Sequence, residues 1–266
     1  MGIFNFKKVK KSSSLVNNEH AKTLHKNLEF TATEQYKLLR TNLDFTLPVN
    51  IKCPVIGVTS SMRGEGKSTT AVNLSYVLAE RGQKVLLIDG DLRIPSIAKK
   101  MDITSSVGLT NFLMGKGVDI EAFKTDISEN WYILPAGNIP PNPSELLGSK
   151  RMEAVLEDFK KIFDYIIIDL PPVNIVSDAL SISGLITGII VVIREEYTEK
   201  KELEHCFRLL KLSNVNVLGC VMNESRNGGG SYGKYRKYKY YKYYKYYRYE
   251  TTPENPKGIR VKKTKK

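Results

Sequence analysis

The run Gly64-Glu65-Gly66-Lys67-Ser68-Thr69 constrains this chain more than any other feature. It lies between a short apolar segment, Val55–Thr59, and a helically spaced one, Ser68–Glu80, that stops at Gly82. Glycine adopts the backbone angles of a tight turn, and a turn feeding a helix aims successive N–H groups at one point. Such a loop cradles phosphates; Lys67 can reach the outer oxygens and the Ser68 hydroxyl can bind Mg²⁺. The first glycine of the G-x-x-x-x-G-K-[ST] pattern would fall at position 61, which is Ser61. The strand before and the helix after supply the context that separates a phosphate loop from an ordinary glycine-rich turn.

The alternation continues along the chain. A helix pattern opens at Thr33, with Tyr36, Leu39 and Leu43 on one face, and Pro48 and Pro54 bracket its exit. Val85–Ile88, Trp131–Leu134, Tyr165–Ile168, Gly188–Ile193 and Val215–Val221 read as buried strands, with helical patterns at 149–162 and 198–211. Strands alternating with helices imply βαβ units. The expected fold is therefore α/β, a mostly parallel sheet with helices on both faces, of the P-loop NTPase type. Hydrophobic residues make up 41% of the 266, enough for a sizeable core. The longest apolar run, Leu185 to Ile193, falls far short of the roughly 20 residues of a membrane helix. Cys53, Cys206 and Cys220 have neither disulfide-framework nor zinc-like spacing, which suits a reducing cytoplasm.

Two further strands run into carboxylates. Val85–Ile88 leads to Asp89-Gly90-Asp91-Leu92-Arg93, and Tyr165–Ile168 leads to Asp169-Leu170-Pro171-Pro172. In a parallel sheet the C-terminal strand ends share one edge, where ligands bind. Three carboxylates beside phosphates repel them unless a divalent cation lies between, and Mg²⁺ suits oxygen ligands with phosphate. A lone Asp is usually a cap or a turn residue. Two Asp-terminated apolar strands together with a phosphate loop are a site.

The net charge of +13 sits at the ends. Residues 1–30 carry +4, residues 31–230 carry −2, and residues 231–266 carry +11. A near-neutral body with basic ends argues against a nucleic-acid-binding protein as a whole. Residues 1–30 read as a flexible basic arm, 31–227 as the folded domain, and 228–266, beyond Gly228-Gly229-Gly230, as a disordered tail. That tail holds Tyr232, Tyr235, Tyr238, Tyr240, Tyr241, Tyr243, Tyr244, Tyr246, Tyr247 and Tyr249, ten of the chain's fifteen tyrosines, interleaved with lysine and arginine. Aromatics among cations also suit single-stranded nucleic acid, the phenols stacking on bases. Attachment to an acid-lined phosphate loop favours phosphorylation of the phenols instead.

Segments 60–69, 85–93 and 165–170 resemble Walker A, an Asp-containing Walker A′ and Walker B. Together with Pro141-Asn142-Pro143-Ser144-Glu145-Leu146-Leu147, Pro171-Pro172-Val173 and the tyrosine tail, they are similar to the bacterial tyrosine kinases of capsule and exopolysaccharide operons. Those kinases are relatives of the deviant-Walker ATPases that include MinD and ParA. The resemblance implies ATP bound by Gly64, Glu65, Gly66, Lys67, Ser68 and Thr69, with Asn223 against the adenine. It implies Mg²⁺ at Ser68, Asp91 and Asp169, and catalysis by Lys67, Asp89, Asp91 and Asp169. Asp89 would orient or deprotonate the tyrosine hydroxyl, although Asp89 and Asp91 can exchange roles, and Arg93 would counter charge nearby. MinD- and ParA-like proteins carry a signature lysine five residues before the Walker lysine; that position here is Met62. The kinases assemble through E-x-x-R-x-x-R, which Glu34, Lys37 and Arg40 match with a lysine in the middle place. A three-residue spacing puts them on one helix face.

The resemblance further implies a ring-like homo-oligomer, a separate transmembrane activator of the polysaccharide co-polymerase kind, a cognate phosphatase and sugar-nucleotide enzymes as substrates. It implies a cytoplasmic protein recruited by its activator to the inner face of the membrane. Two rival readings stay open. One is a MinD/ParA-like positioning ATPase; the other is a nucleotide-gated nucleic-acid binder that uses the basic aromatic tail.

Overall fold

Six apolar segments become the six strands of one sheet in the computed structural model, which describes residues 27–116 and 118–224. The chain divides into Met1–Asn223 and Glu224–Lys266, and the architecture is that of the first unit. The expected basic arm, apart from residues 27–30, and the tail with its ten tyrosines lie outside the described residues.

The strands are β1 (Val55–Ser60), β2 (Val85–Asp89), β3 (Trp131–Leu134), β4 (Tyr165–Asp169), β5 (Gly188–Arg194) and β6 (Val217–Asn223). They lie in the order β3-β2-β4-β1-β5-β6, and every pairing is parallel. Parallel neighbours need crossover connections, so helices cover both faces. The helices are α1 (Phe30–Thr46), α2 (Lys67–Glu80), α3 (Ile97–Lys100), α4 (Leu109–Leu113), α5 (Pro143–Leu147), α6 (Lys150–Lys160), α7 (Asp178–Ser181) and α8 (Lys200–Leu212).

Side chains alternate between sheet faces with period two, and the core splits accordingly. On one face Ile56, Val58, Leu87, Ile133, Ile167 and Ile190 pack with the buried side of α2 and with Leu43 of α1. On the other, Leu86, Ile88, Ile166, Ile168, Ile189 and Val191 pack under Met152, Val155, Leu156 and Phe159 of α6 and Cys206 and Leu210 of α8. Fully burying each such aliphatic group contributes about 1.5–3 kcal/mol. Trp131, fully buried, donates its indole N–H to Ser75 Oγ at 3.0 Å and so pins α2 over the sheet.

The expected strands and long helices are present, with no end displaced by more than three residues. The last strand runs Val217–Asn223 rather than from Val215. Asn214, at φ 51°, ends the chain leaving α8, so Val215 still belongs to the turn. Gly82 stands at φ 90° just past α2 and donates its N–H to the Ala79 carbonyl, a left-handed helix stop. The short helices α3, α4, α5 and α7 span only four or five residues each, too short for a 3.6-residue period to repeat.

Candidate active site

Strand order places the chemistry. β1 lies beside β4, and β4 beside β2, so the loop after β1 meets the carboxylates ending β2 and β4. Asp89 and Asp169 are register partners across the β2–β4 ladder. Both are fully buried, and Asp91 nearly so. From Gly66, left-handed at φ 97°, the chain enters α2 without any side-chain cap. The first N–H groups of a helix have no partners within it, and they face the end of the sheet where an anion would sit.

Lys67 reaches into this cluster. Its ammonium lies 3.1 Å from Asp91 Oδ2 and 3.3 Å from Asp169 Oδ1. Burial opposes its charge, but Asp169 and Asp91 outweigh that, and its pKa is raised. Burial likewise raises Asp169, although Lys67 and a Ser68 hydrogen bond favour its ionised form. Asp89 is pushed up to about 7, first by burial and then by Asp169, against hydrogen bonds from Ile97 and Ser96 and the charge of Lys67. Asp89 Oδ2 accepts the N–H groups of Ser96 (3.0 Å) and Ile97 (2.9 Å), and Oδ1 accepts that of Asp91 (3.3 Å). The Ser96 hydroxyl donates to Ser68 Oγ at 2.9 Å. Lys100, half-buried, donates to Thr69 Oγ1 at 3.4 Å.

The residues fit a magnesium ion bound with a nucleotide. Asp169 Oδ2 is buried without a hydrogen-bond partner, a carboxylate oxygen left over after Lys67 has used the other. Among the described residues no three His, Cys, Asp or Glu side chains group to hold a metal by themselves. That suits Mg²⁺, which takes one or two carboxylates and completes its shell with phosphate and water. Burial pushes the thiols of Cys53 and Cys206 up to about 12, so neither serves as a nucleophile.

The structure therefore brings together Gly64, Glu65, Gly66, Lys67, Ser68, Thr69, Asp89, Asp91 and Asp169. Asn223 ends β6, and its side-chain amide donates to the Glu65 carbonyl at 3.1 Å, so it touches the loop backbone itself. Arg93 makes its direct contacts elsewhere, although the charge of Asp91 is still felt there. It makes a two-pronged ion pair with the fully buried Asp178 of α7, at 2.9 and 3.0 Å, and donates to Ser144 of α5. Glu34 and Lys37 pair with each other at 2.9 Å, while Arg40 donates to the Val77 carbonyl of α2.

Sequence reasoning missed Arg194, Tyr197 and Thr198, which approach the loop from the β5–α8 turn. Arg194 donates to the Gly64 carbonyl (3.1 Å), Tyr197 to the Arg63 carbonyl (3.2 Å) and Thr198 to Glu65 Oε1 (2.6 Å). No local pattern marks residues about 130 positions from their partners. Ser61 was legible only as a departure from the glycine pattern; its hydroxyl meets the Glu65 carboxylate at 2.8 Å.

A glycine-rich loop between β1 and α2, a lysine at the helix start and carboxylates at two neighbouring strand ends define a P-loop protein of the α/β class. The family described as AAA domain matches residues 53–216. Tyrosine-protein kinase YwqD of Bacillus subtilis (strain 168) is 36% identical over 208 residues, covering 78% of this chain and 81% of that one. The chimerical protein CapA2B2 superposes with a TM-score of 0.71 at 28% identity, over 79% of this chain and 91% of that one. The kinase domain of the Escherichia coli tyrosine kinase ETK gives a TM-score of 0.67 at 28% identity, over 75% and 79%. The chain belongs to the bacterial tyrosine-protein kinases, within the AAA domain family.

Proposed function

We propose that the chain uses Mg-ATP to phosphorylate tyrosines of its own C-terminal cluster, Tyr232 to Tyr249, in a system that controls capsular or extracellular polysaccharide synthesis or export. The observation that carries this reading is the meeting of Lys67 with the buried carboxylates Asp91 and Asp169, beside the buried Asp89, in a chain whose last segment holds ten of fifteen tyrosines. The first-turn amides of α2 and the loop amides bind the β- and γ-phosphates. Lys67 exchanges its contacts with Asp91 and Asp169 for phosphate oxygens. Ser68, Asp91 and Asp169 would hold Mg²⁺, which would neutralise phosphate charge. A bond forms between the phenol oxygen and the γ-phosphorus as the β,γ-bridging oxygen leaves with ADP. Asp89 takes the phenolic proton, since a carboxyl near 7 accepts protons at neutral pH.

The +11 segment 231–266 is drawn to this acidic edge and to bound ATP. Residues 228–249 can extend about 70 Å, far enough to enter a neighbour's site. Each phosphotyrosine adds about −1.5 to −2, so about six or seven cancel the tail's charge and reverse the attraction. The neighbour is another copy in a ring-like oligomer assembled through Glu34, Lys37 and Arg40. A separate transmembrane protein activates the kinase at the inner membrane face, and a cognate phosphatase resets it; sugar-nucleotide enzymes are candidate substrates. No described helix is long and apolar enough to cross a membrane. Intact mass after incubation of the purified chain with Mg-ATP and the activator tests the reading. Phosphate additions confined to the tail support it. ATP hydrolysis with no added mass would instead favour a positioning ATPase, against which Met62 already stands.

A further inference from the structure

We infer that the β5–α8 turn and Asn223 form a clamp that shapes the phosphate cradle, with Arg194, Tyr197, Thr198 and Glu65 as positioning residues for ATP. The inference rests on the nucleotide reading of the loop and assigns how that loop is held.

Three successive carbonyls of the loop are tied outward. Arg63 O accepts from Tyr197, Gly64 O from Arg194, and Glu65 O from Asn223, at 3.2, 3.1 and 3.1 Å. In a trans peptide the carbonyl of one residue points opposite to the N–H of the next. Holding the carbonyls of 63, 64 and 65 on one side therefore aims the N–H groups of 64, 65 and 66 to the other. Consecutive inward N–H groups are what an anion-binding nest requires. Gly64 and Gly66 supply the positive φ angles, 81° and 97°, that let the loop turn this way.

The Glu65 carboxylate locks the same loop from within. It is fully buried. Its oxygens accept the Ser61 hydroxyl (2.8 and 3.0 Å), the Met62 N–H (3.0 Å) and the Thr198 hydroxyl (2.6 Å). Ser61, at the place of the missing first glycine, thus closes residues 61–65 into a ring of contacts. The Thr198 oxygen also accepts the backbone N–H of Arg194 at 2.9 Å, so one hydroxyl both donates to Glu65 and is anchored by the end of β5. The Arg194 guanidinium lies 5.0 Å from the centre of the Tyr197 ring, so the turn is held together by its own side chains. A cradle set before the ligand arrives loses less on binding.

The test is calorimetric titration of the full chain with Mg-ATP, beside thermal melting. Thr198→Val keeps the shape but removes the hydroxyl, and its dissociation constant should rise about tenfold, the worth of one hydrogen bond to a charged group. Thr198→Ser keeps the hydroxyl and should stay within about twofold of wild type, since that bond is retained. Tyr197→Phe, at a half-exposed ring, should weaken binding by about threefold, the scale of a neutral hydrogen bond. In Thr198→Val the KM for ATP should rise more than kcat at saturating ATP falls, because binding rather than chemistry is disturbed. Wild-type affinity in Thr198→Val, or equal weakening in Thr198→Ser, overturns the clamp. If Thr198→Val does not fold, unchanged affinity in Tyr197→Phe overturns it. Lys67→Met serves as the control: undiminished ATP binding there sinks the nucleotide reading itself.

Discussion

At Gly66 two constraints coincide on one backbone atom. Its φ of 97° disfavours any side chain, and a Cβ would stand 2.0 Å from Asn223 Nδ2. Gly66→Ala should lose ATP binding in a titration and about 1–2 kcal/mol of stability in urea, the cost of a left-handed non-glycine residue. Adding Asn223→Ala should relieve the collision yet leave the dihedral cost, so rescue stays incomplete. Asp89 carries a pH signature. Its pKa stands near 7 in the fold and in the ordinary carboxylate range when unfolded, because burial and then Asp169 disfavour its charge. A raised pKa favours the protonated fold, so this contribution to stability is whole below about pH 4 and is lost as pH rises toward 7. Denaturation of the magnesium-free protein should show wild-type stability falling, relative to Asp89→Asn, between about pH 4 and 7. A difference independent of pH would mean that Asp89 ionises freely. Asp89 and Asp91 differ in their contacts: Asp91 meets Lys67, whereas Asp89 is held by backbone N–H groups.

Elements were legible where a period had room to repeat. α6 and α8 show it clearly, since Met152, Val155, Leu156 and Phe159, and then Cys206 and Leu210, recur on one side. α5 and α7 are too short for that, yet they hold the partners of Arg93. The side chain of Asp178 is fully buried and that of Arg93 is 41% exposed, so their loss has unequal consequences. Arg93→Ala strands a buried carboxylate beside Ser144 and should cost about 3–5 kcal/mol. Asp178→Asn leaves an arginine that reaches water and should cost about 1–2 kcal/mol. Urea denaturation of the two variants measures the order, and the reverse order would show that the pair is governed by something other than burial. The family resemblance implied that Arg93 counters charge near the catalytic edge; its neighbours show that it ties the β2 loop to α5 and α7.

Assembly belongs to the whole molecule. Glu34 pairs with Lys37 within α1, and Arg40 is occupied by α2, so reversing Arg40 would disturb the fold as well as any interface. The exchange Glu34→Lys with Lys37→Glu preserves the pair within the helix and alters only what a second copy would meet. Light scattering should then report a smaller mass and labelling should slow; an unchanged mass would remove this face from the assembly. If the tail is phosphorylated as proposed, ten acceptors would make a graded switch. Replacing all ten tyrosines by Phe should leave ATP affinity intact and hold the oligomer together in the presence of Mg-ATP, whereas Tyr243→Phe alone should change little. Sedimentation distinguishes the two, and dissociation of the all-Phe protein would defeat the charge account.

The sequence by itself determined the α/β class, the six strands, the long helices, the phosphate loop and the acids at the strand ends. All of these are local: hydrophobic period, turn chemistry and the residues bordering a strand are readable within a few positions. Tertiary structure alone decided that β4 lies between β1 and β2, which puts Asp169 beside Asp89 and brings Lys67 against Asp169 and Asp91. It alone decided that Thr198 and Asn223 grip the loop at Glu65, and that Arg93 belongs to Asp178. Those pairings join residues far apart in the chain. They depend on how packed layers bring loops together, and no periodicity or motif in either partner encodes the other.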